Sequence, residues 1–113
     1  NWFRTDEHGK FLWPGYRENL RILEWIVARC DDKVQAETAP IGYLPKLSDI
    51  DMTGLNVPHA SMEKLFRVQK KDWFEELNDI KKFFKIFKND FPQELWDEYQ
   101  GLQGRLTMST DKG

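Results

Sequence analysis

The spacing of large apolar side chains between residues 72 and 106 restricts this chain more than any other feature. Trp73, Leu77, Ile80, Phe84 and Phe87 recur at three- and four-residue steps, the repeat that lines up side chains along one stripe of an α-helix. Asp72 and Glu75 stand three apart in the manner of a capping box, and Lys81, Lys82, Lys85 and Lys88 complement the dipole at the far end. Asn89, Asp90, Phe91 and Pro92 stop this helix and start another, with Pro92 near the first helical position and Leu95, Tyr99, Leu102 and Leu106 on one face. So short a link implies an antiparallel helix pair.

Upstream the pattern changes. Two aromatic runs, Trp2-Phe3-Arg4 and Lys10-Phe11-Leu12-Trp13, flank Asp6-Glu7-His8-Gly9, a polar stretch suited to a tight reversal. They predict a short β-hairpin or paired extended aromatic segments. Pro14-Gly15 punctuates the chain, and from Glu18 to Arg29 the residues Leu20, Leu23, Val27 and Cys30, with Ile22 and Ile26 beside them, predict an amphipathic helix. On that stripe Cys30 reads as core and Asn19 as an amide turned inward. Residues 31 to 60 carry Pro40, Pro45, Pro58, Gly42 and Gly54, which predicts a long irregular connection with at most a short strand around Ile41 to Leu44. Residues 61 to 66 suit a short helix with Met62, Leu65 and Phe66 inward. The closing residues 107–113 are polar and small and are expected to fray. The fold class expected is an α+β fragment, mainly α, with 61–107 as its helical end. No repeat and no low-complexity stretch interrupts it.

Composition excludes several functions. The 113 residues hold 17 basic and 19 acidic side chains in mixed order, for a net charge of -2, so no basic field is available for a nucleic-acid backbone. One cysteine cannot form an internal disulfide, which fits a reducing compartment, and a cytoplasmic location is expected. No apolar run approaches the roughly 20 residues needed to span a bilayer, and no membrane partner is expected. The opening on Asn1 and bulky aromatics, without the layout of a signal peptide, reads as an internal start in a longer protein.

A search for catalytic constellations fails. The sequence has no GxxxxGK[ST] loop, no GxSxG elbow and no HExxH pair. His8, His59 and Cys30 do not offer zinc-ligand spacing, and neither catalytic nor metal-binding residues are assigned. The lysines from Lys81 to Lys88 read as a solvated helix face. The segment from Trp2 to Asn19 is different, because Trp2, Phe3, Phe11, Trp13 and Tyr16 are divided between two runs and a turn, where rings could enclose a flat base. Aromatic clusters are more often core, so a capped helix over an aromatic mini-core is the competing reading. Asn19 bears on the choice: an amide offers both an acceptor and donors, which suits the edge of guanine with its N–H groups and O6.

The residues themselves then point to a family. Asn1-Trp2-Phe3-Arg4, Gly9-Lys10-Phe11-Leu12-Trp13-Pro14-Gly15-Tyr16-Arg17-Glu18-Asn19 and Arg21-Ile22-Leu23-Glu24-Trp25 resemble the nucleotide-binding segment of GTP-dependent phosphoenolpyruvate carboxykinases, whose pattern reads NWF, FLWPGFGEN and R-V-L-x-W. Pro40-Ile41-Gly42-Tyr43-Leu44-Pro45 is similar to the PIGxxP segment that follows. The resemblance covers essentially the whole chain, 1–113, and implies the end of the C-terminal nucleotide-binding domain, with residues 1–19 as the guanine-binding segment. It implies GTP or GDP as ligand, and rings at Phe3, Phe11 and Tyr16 around the guanine with Asn19 at its edge. Arg17 and Glu18 lie within the same nucleotide-binding motif. It also implies manganese in the full-length enzyme, held by ligands outside this chain, the rest of a monomeric parent enzyme as partner, and no catalytic residue here. Tyr16 stands where the family has phenylalanine, and Arg17 where it has glycine.

Two other readings compete with this one. The chain could be an autonomous helical interaction module with an aromatic core, or a single-strand binder using Trp2, Phe3 and Phe11 as stacking platforms. Selectivity for GDP over ADP separates the first from the family reading, and salt-dependent oligonucleotide binding would revive the second.

Overall fold

Each segment with helical spacing forms a helix. The computed structural model describes residues 1–110. It contains α1 (Asn19–Cys30), β1 (Glu37–Ala39), β2 (Gly42–Leu44), α2 (His59–Phe66), α3 (Lys70–Ile86) and α4 (Gln93–Met108), with short 3-10 turns at Tyr16–Glu18, Leu47–Asp49 and Lys88–Asp90. This is the expected α+β, mainly α class. The chain divides into two compact units, one of residues 1–38 with 43–67 and one of residues 39–42 with the chain from Val68 onward.

In the second unit α3 and α4 form the expected pair. Leu77, Tyr99 and Leu106 are buried at its centre, with Ile41, Trp73, Phe74, Ile80, Phe84, Trp96 and Leu102 packed around them. Phe84 anchors an aromatic cluster, its ring centroid 4.2 Å from Phe91 and 5.3 Å from Trp96. Arg105 Nε donates to the Pro40 carbonyl at 2.8 Å and so ties the residue next to Ile41 to α4. Three details differ from the sequence reading. Helix α3 begins two residues before Asp72, with Gln69 at its N-cap making no side-chain bond. The packing of Trp73 and Phe74 on the core recruits this extra turn, and Asp72 becomes a first-turn acid that complements the dipole. Phe87 and Leu95 are each 45% exposed, because they lie at helix ends where Phe91 and Trp96 fill the interior instead. Thr107 and Met108 remain helical; the expected fraying at 111–113 lies outside the described residues.

In the first unit Leu12, Trp13, Trp25, Ile50 and Met62 are buried. Helix α1 corrects the sequence reading. Trp25 is buried, whereas Leu20, Leu23, Ile26 and Val27 are exposed, Leu20 by 70%, and Cys30 is exposed as well. The face read as core is the outer one. Burying the large Trp25 ring with its flank of Ile22 and Ala28 outweighs burying any one aliphatic residue opposite. Helix α1 ends in a Schellman arrangement, with Asp32 at φ 56°. The Asp32 N–H bonds the Arg29 carbonyl at 3.1 Å and the Lys33 N–H bonds that of Ala28 at 2.9 Å.

The N-terminal hairpin is reduced to one antiparallel bridge, Thr5 with Phe11. Trp2 and Phe3 lie in a turn, where the Phe3 N–H donates to Asn1 Oδ1 at 3.0 Å. Inside the irregular stretch, β1 and β2 pair across the two residues Pro40 and Ile41, which makes them antiparallel and slightly exceeds the single short strand expected. In α2 Met62 is fully buried and Leu65 and Phe66 are half-buried, as expected.

Candidate functional site

The aromatic segment is held from both ends by hydrogen bonds. Asp6 Oδ1 accepts from the N–H groups of His8 and Lys10, each at 2.9 Å, and the Asp6 N–H donates to the Lys10 carbonyl at 2.9 Å. The Lys10 N–H, with that of His8 adding to it, holds the Asp6 carboxyl below its ordinary range. Gly9 closes the turn at φ 76°, where a side chain would be strained. Beside Phe3, Arg4 donates to the carbonyls of Lys64 at 2.7 Å and Arg67 at 3.1 Å. A cation bonded to the last carbonyls of α2 complements that helix end and fixes the Phe3 turn to it.

Between these anchors the rings separate into two sets. Leu12 and Trp13 are buried, Trp13 to 5% exposure, while Phe3, Phe11 and Tyr16 are 79%, 57% and 92% exposed. Phe3 and Phe11 touch edge to face, with centroids 6.2 Å apart and planes at 70°. A base held between two parallel rings needs them roughly 7 Å apart, two contacts of about 3.5 Å each. No such parallel slot stands open between these two, and the exposure of Phe3 leaves its ring space to rotate. Gly15, at φ 119°, turns the chain from Trp13 into the 3-10 turn that carries Tyr16.

The start of α1 completes the site. The Trp13 indole N–H donates to Asn19 Oδ1 at 2.7 Å; the Leu23 and Cys30 stripe on which Asn19 was expected to turn inward is exposed, and the amide is half-buried and held by the indole instead. The Glu18 carboxylate is held by Arg21 Nε at 2.6 Å, and the same guanidinium donates to the carbonyls of Asp51 and Thr53. Arg17 is exposed, and among the described residues no ion pair holds it. The structure thus brings Phe3 against Phe11 and joins Asn19 to the Phe11–Trp13 run, and it places Tyr16 and Arg17 on the turn between them.

Sequence reasoning missed Arg4, Arg21 and the part played by Trp13. The two arginines reach carbonyls 60 and 63, and 30 and 32, residues away, for which local spacing carries no signal. Trp13 did carry one: an indole that can only donate, six residues from an amide that can accept.

Comparison with known proteins identifies the lineage. The family description "Phosphoenolpyruvate carboxykinase C-terminal P-loop domain" matches residues 1–105. The chain belongs to this family. Phosphoenolpyruvate carboxykinases (GTP) from Chlamydia pneumoniae and Thermoplasma volcanium are 43% and 41% identical to it, each over 94% of this chain and 18% of the relative. The protein of the same name from Corynebacterium jeikeium is 39% identical over the same shares. This chain therefore spans about a fifth of the phosphoenolpyruvate carboxykinases it matches. Among its described residues no three His, Cys, Asp or Glu side chains come together as a metal site. No described helix is long and apolar enough to cross a membrane.

Proposed function

We propose that this chain is the guanine-recognising portion of a cytoplasmic, GTP-dependent phosphoenolpyruvate carboxykinase. The parent reaction converts oxaloacetate and GTP to phosphoenolpyruvate, carbon dioxide and GDP. One observation carries the reading: Phe3, Phe11 and Tyr16 stay exposed on a segment whose Trp13 is buried, beside the half-buried amide of Asn19. Aromatic rings are among the most favourable groups to bury, and several left out together mark a binding surface more often than an idle one. A purine ring would cover them, and the Asn19 amide would bond its edge. The Arg17 guanidinium is free to stack on the base plane or on Tyr16. Glu18 acts through Arg21, fixing the first turn of α1 on which Asn19 sits.

The groups that hold the phosphates, the manganese and the carboxylate substrate belong to the rest of the parent enzyme. That portion is the proposed partner of this chain, and the exposed face of α1, formed by Leu20, Leu23, Ile26 and Val27, supports it. Phosphate and metal contacts supply much of the affinity for a nucleoside triphosphate. The chain by itself is therefore expected to bind GDP weakly and to catalyse no turnover.

A two-dimensional amide NMR titration with GDP and, separately, ADP tests the reading. Dispersed peaks with GDP-selective shifts confined to residues 2–19 are expected. Equal shifts with both nucleotides, or none with either, would leave the exposed rings without a guanine role and favour a protein interaction module, for which the α1 face is again the available surface.

A further inference from the structure

We infer that Trp13 is a positioning residue: its indole N–H locks the Asn19 side chain so that the amide NH2, and not the carbonyl, is the group offered to the base. The inference rests on reading the segment as a guanine site and says how that site tells one purine from another.

The geometry is unusual in leaving the amide no choice of orientation. An amide oxygen and nitrogen are nearly isosteric, and either can ordinarily occupy a given position. Here the neighbour decides. Indole nitrogen only donates, so the Asn19 atom 2.7 Å from Trp13 Nε1 has to be the oxygen. Turning the amide over would set its NH2 against the indole N–H, donor against donor. Trp13 is 5% exposed, so its N–H has little access to water as a substitute partner. The indole is itself held in place by burial, and Asn19 is the first residue of α1. Their bond closes the loop that contains Gly15, Tyr16 and Arg17. No protein group among the described residues accepts a hydrogen bond from the Asn19 NH2, and the residue is only half-buried.

A fixed pair of N–H donors selects for an acceptor. Guanine presents O6 and N7 as acceptors on its major-groove edge, whereas adenine presents a 6-amino donor where guanine has O6. Asn19 held this way attracts the 6-oxo group and opposes the 6-amino group. Acceptance of the guanine N1–H by the second lone pair of Oδ1 would run against this assignment, and Asn19→Asp, which keeps an acceptor and loses the donors, detects it.

The test uses this chain, its Trp13→Phe variant and its Asn19→Asp variant in amide and indole NMR titrations with GDP and ADP. In the parent sequence the Trp13 indole N–H peak should lie at a hydrogen-bonded position, and GDP should move the Asn19 NH2 peaks. Trp13→Phe should keep the ring-stacking shifts with both nucleotides while its preference for GDP falls about 3- to 10-fold, the worth of one oriented hydrogen bond. Asn19→Asp keeps an acceptor for the indole but loses the donors, so the indole peak should stay hydrogen-bonded while GDP selectivity is lost. A selective parent chain with an unchanged GDP-to-ADP ratio in Trp13→Phe overturns the positioning role alone. Retained selectivity in Asn19→Asp overturns the donor role, and does so even if Trp13→Phe fails to fold. A parent chain that does not distinguish GDP from ADP overturns the guanine reading and this inference with it.

Discussion

Single residues in this chain act over very different distances. Arg4 and Arg21 tie the aromatic segment and the start of α1 to carbonyls far along the sequence, whereas Asp6 organises only its own turn. The Asp6 carboxyl is held below its ordinary value of 3.8 by the N–H groups it accepts from, Lys10 first. A group whose folded value is depressed contributes stability above its unfolded value, and that contribution is lost as pH falls through the folded one. Urea midpoints should therefore drop on acidification below the ordinary aspartate range, and Asp6→Asn should make this drop shallower. An identical pH profile in the variant would mean that the turn contributes nothing to acid sensitivity. The same residue scale shows why the aromatic segment from Phe3 to Asn19 stood out in the sequence while its contacts did not. Asn19 has a partner, as a half-buried amide must, yet that partner is Trp13, on a bond that the apolar spacing of α1 could not reveal.

Whole elements follow local chemistry most closely where their neighbours are close in sequence. Helices α3 and α4 are linked by a few residues, so the stripe on each meets the other and the apolar periodicity reads directly as core. Helix α4 also carries Gly104, with space where a Cβ would lie and no strained backbone angle. Gly104→Ala should stabilise the chain by about 1 kcal/mol, the helix-propensity difference between the two residues, measured as a higher midpoint in urea. No change, or a lower midpoint, would show that α4 is frayed at that turn. Helix α1 behaves differently: its periodicity was read correctly and its inner face was not. A stripe states that one face differs from the other, and which face is covered depends on what packs there, in this case around Trp25.

For the molecule as a whole, the exposed side of α1 is the feature with the widest consequence. Leu20, Leu23, Ile26 and Val27 form a row that water does not favour. The chain is expected to self-associate in a concentration-dependent way through this row, and Leu23→Glu should shift sedimentation toward the monomer. A parent chain that stays monomeric at every concentration would refute the association. The sequence by itself determined the family, the mainly α class, the α3–α4 pair and the boundaries of the helices to within two residues, because these depend on local spacing and on motifs long enough to be distinctive. The tertiary structure alone decided that Trp25, and not the Leu23 and Cys30 stripe, goes inside. It alone separated a buried Trp13 from an exposed Phe3, Phe11 and Tyr16, and set the Asn19 amide on the indole. Those outcomes are settled by competition for burial and by donors that must find acceptors, and both depend on residues that meet only after the chain has folded.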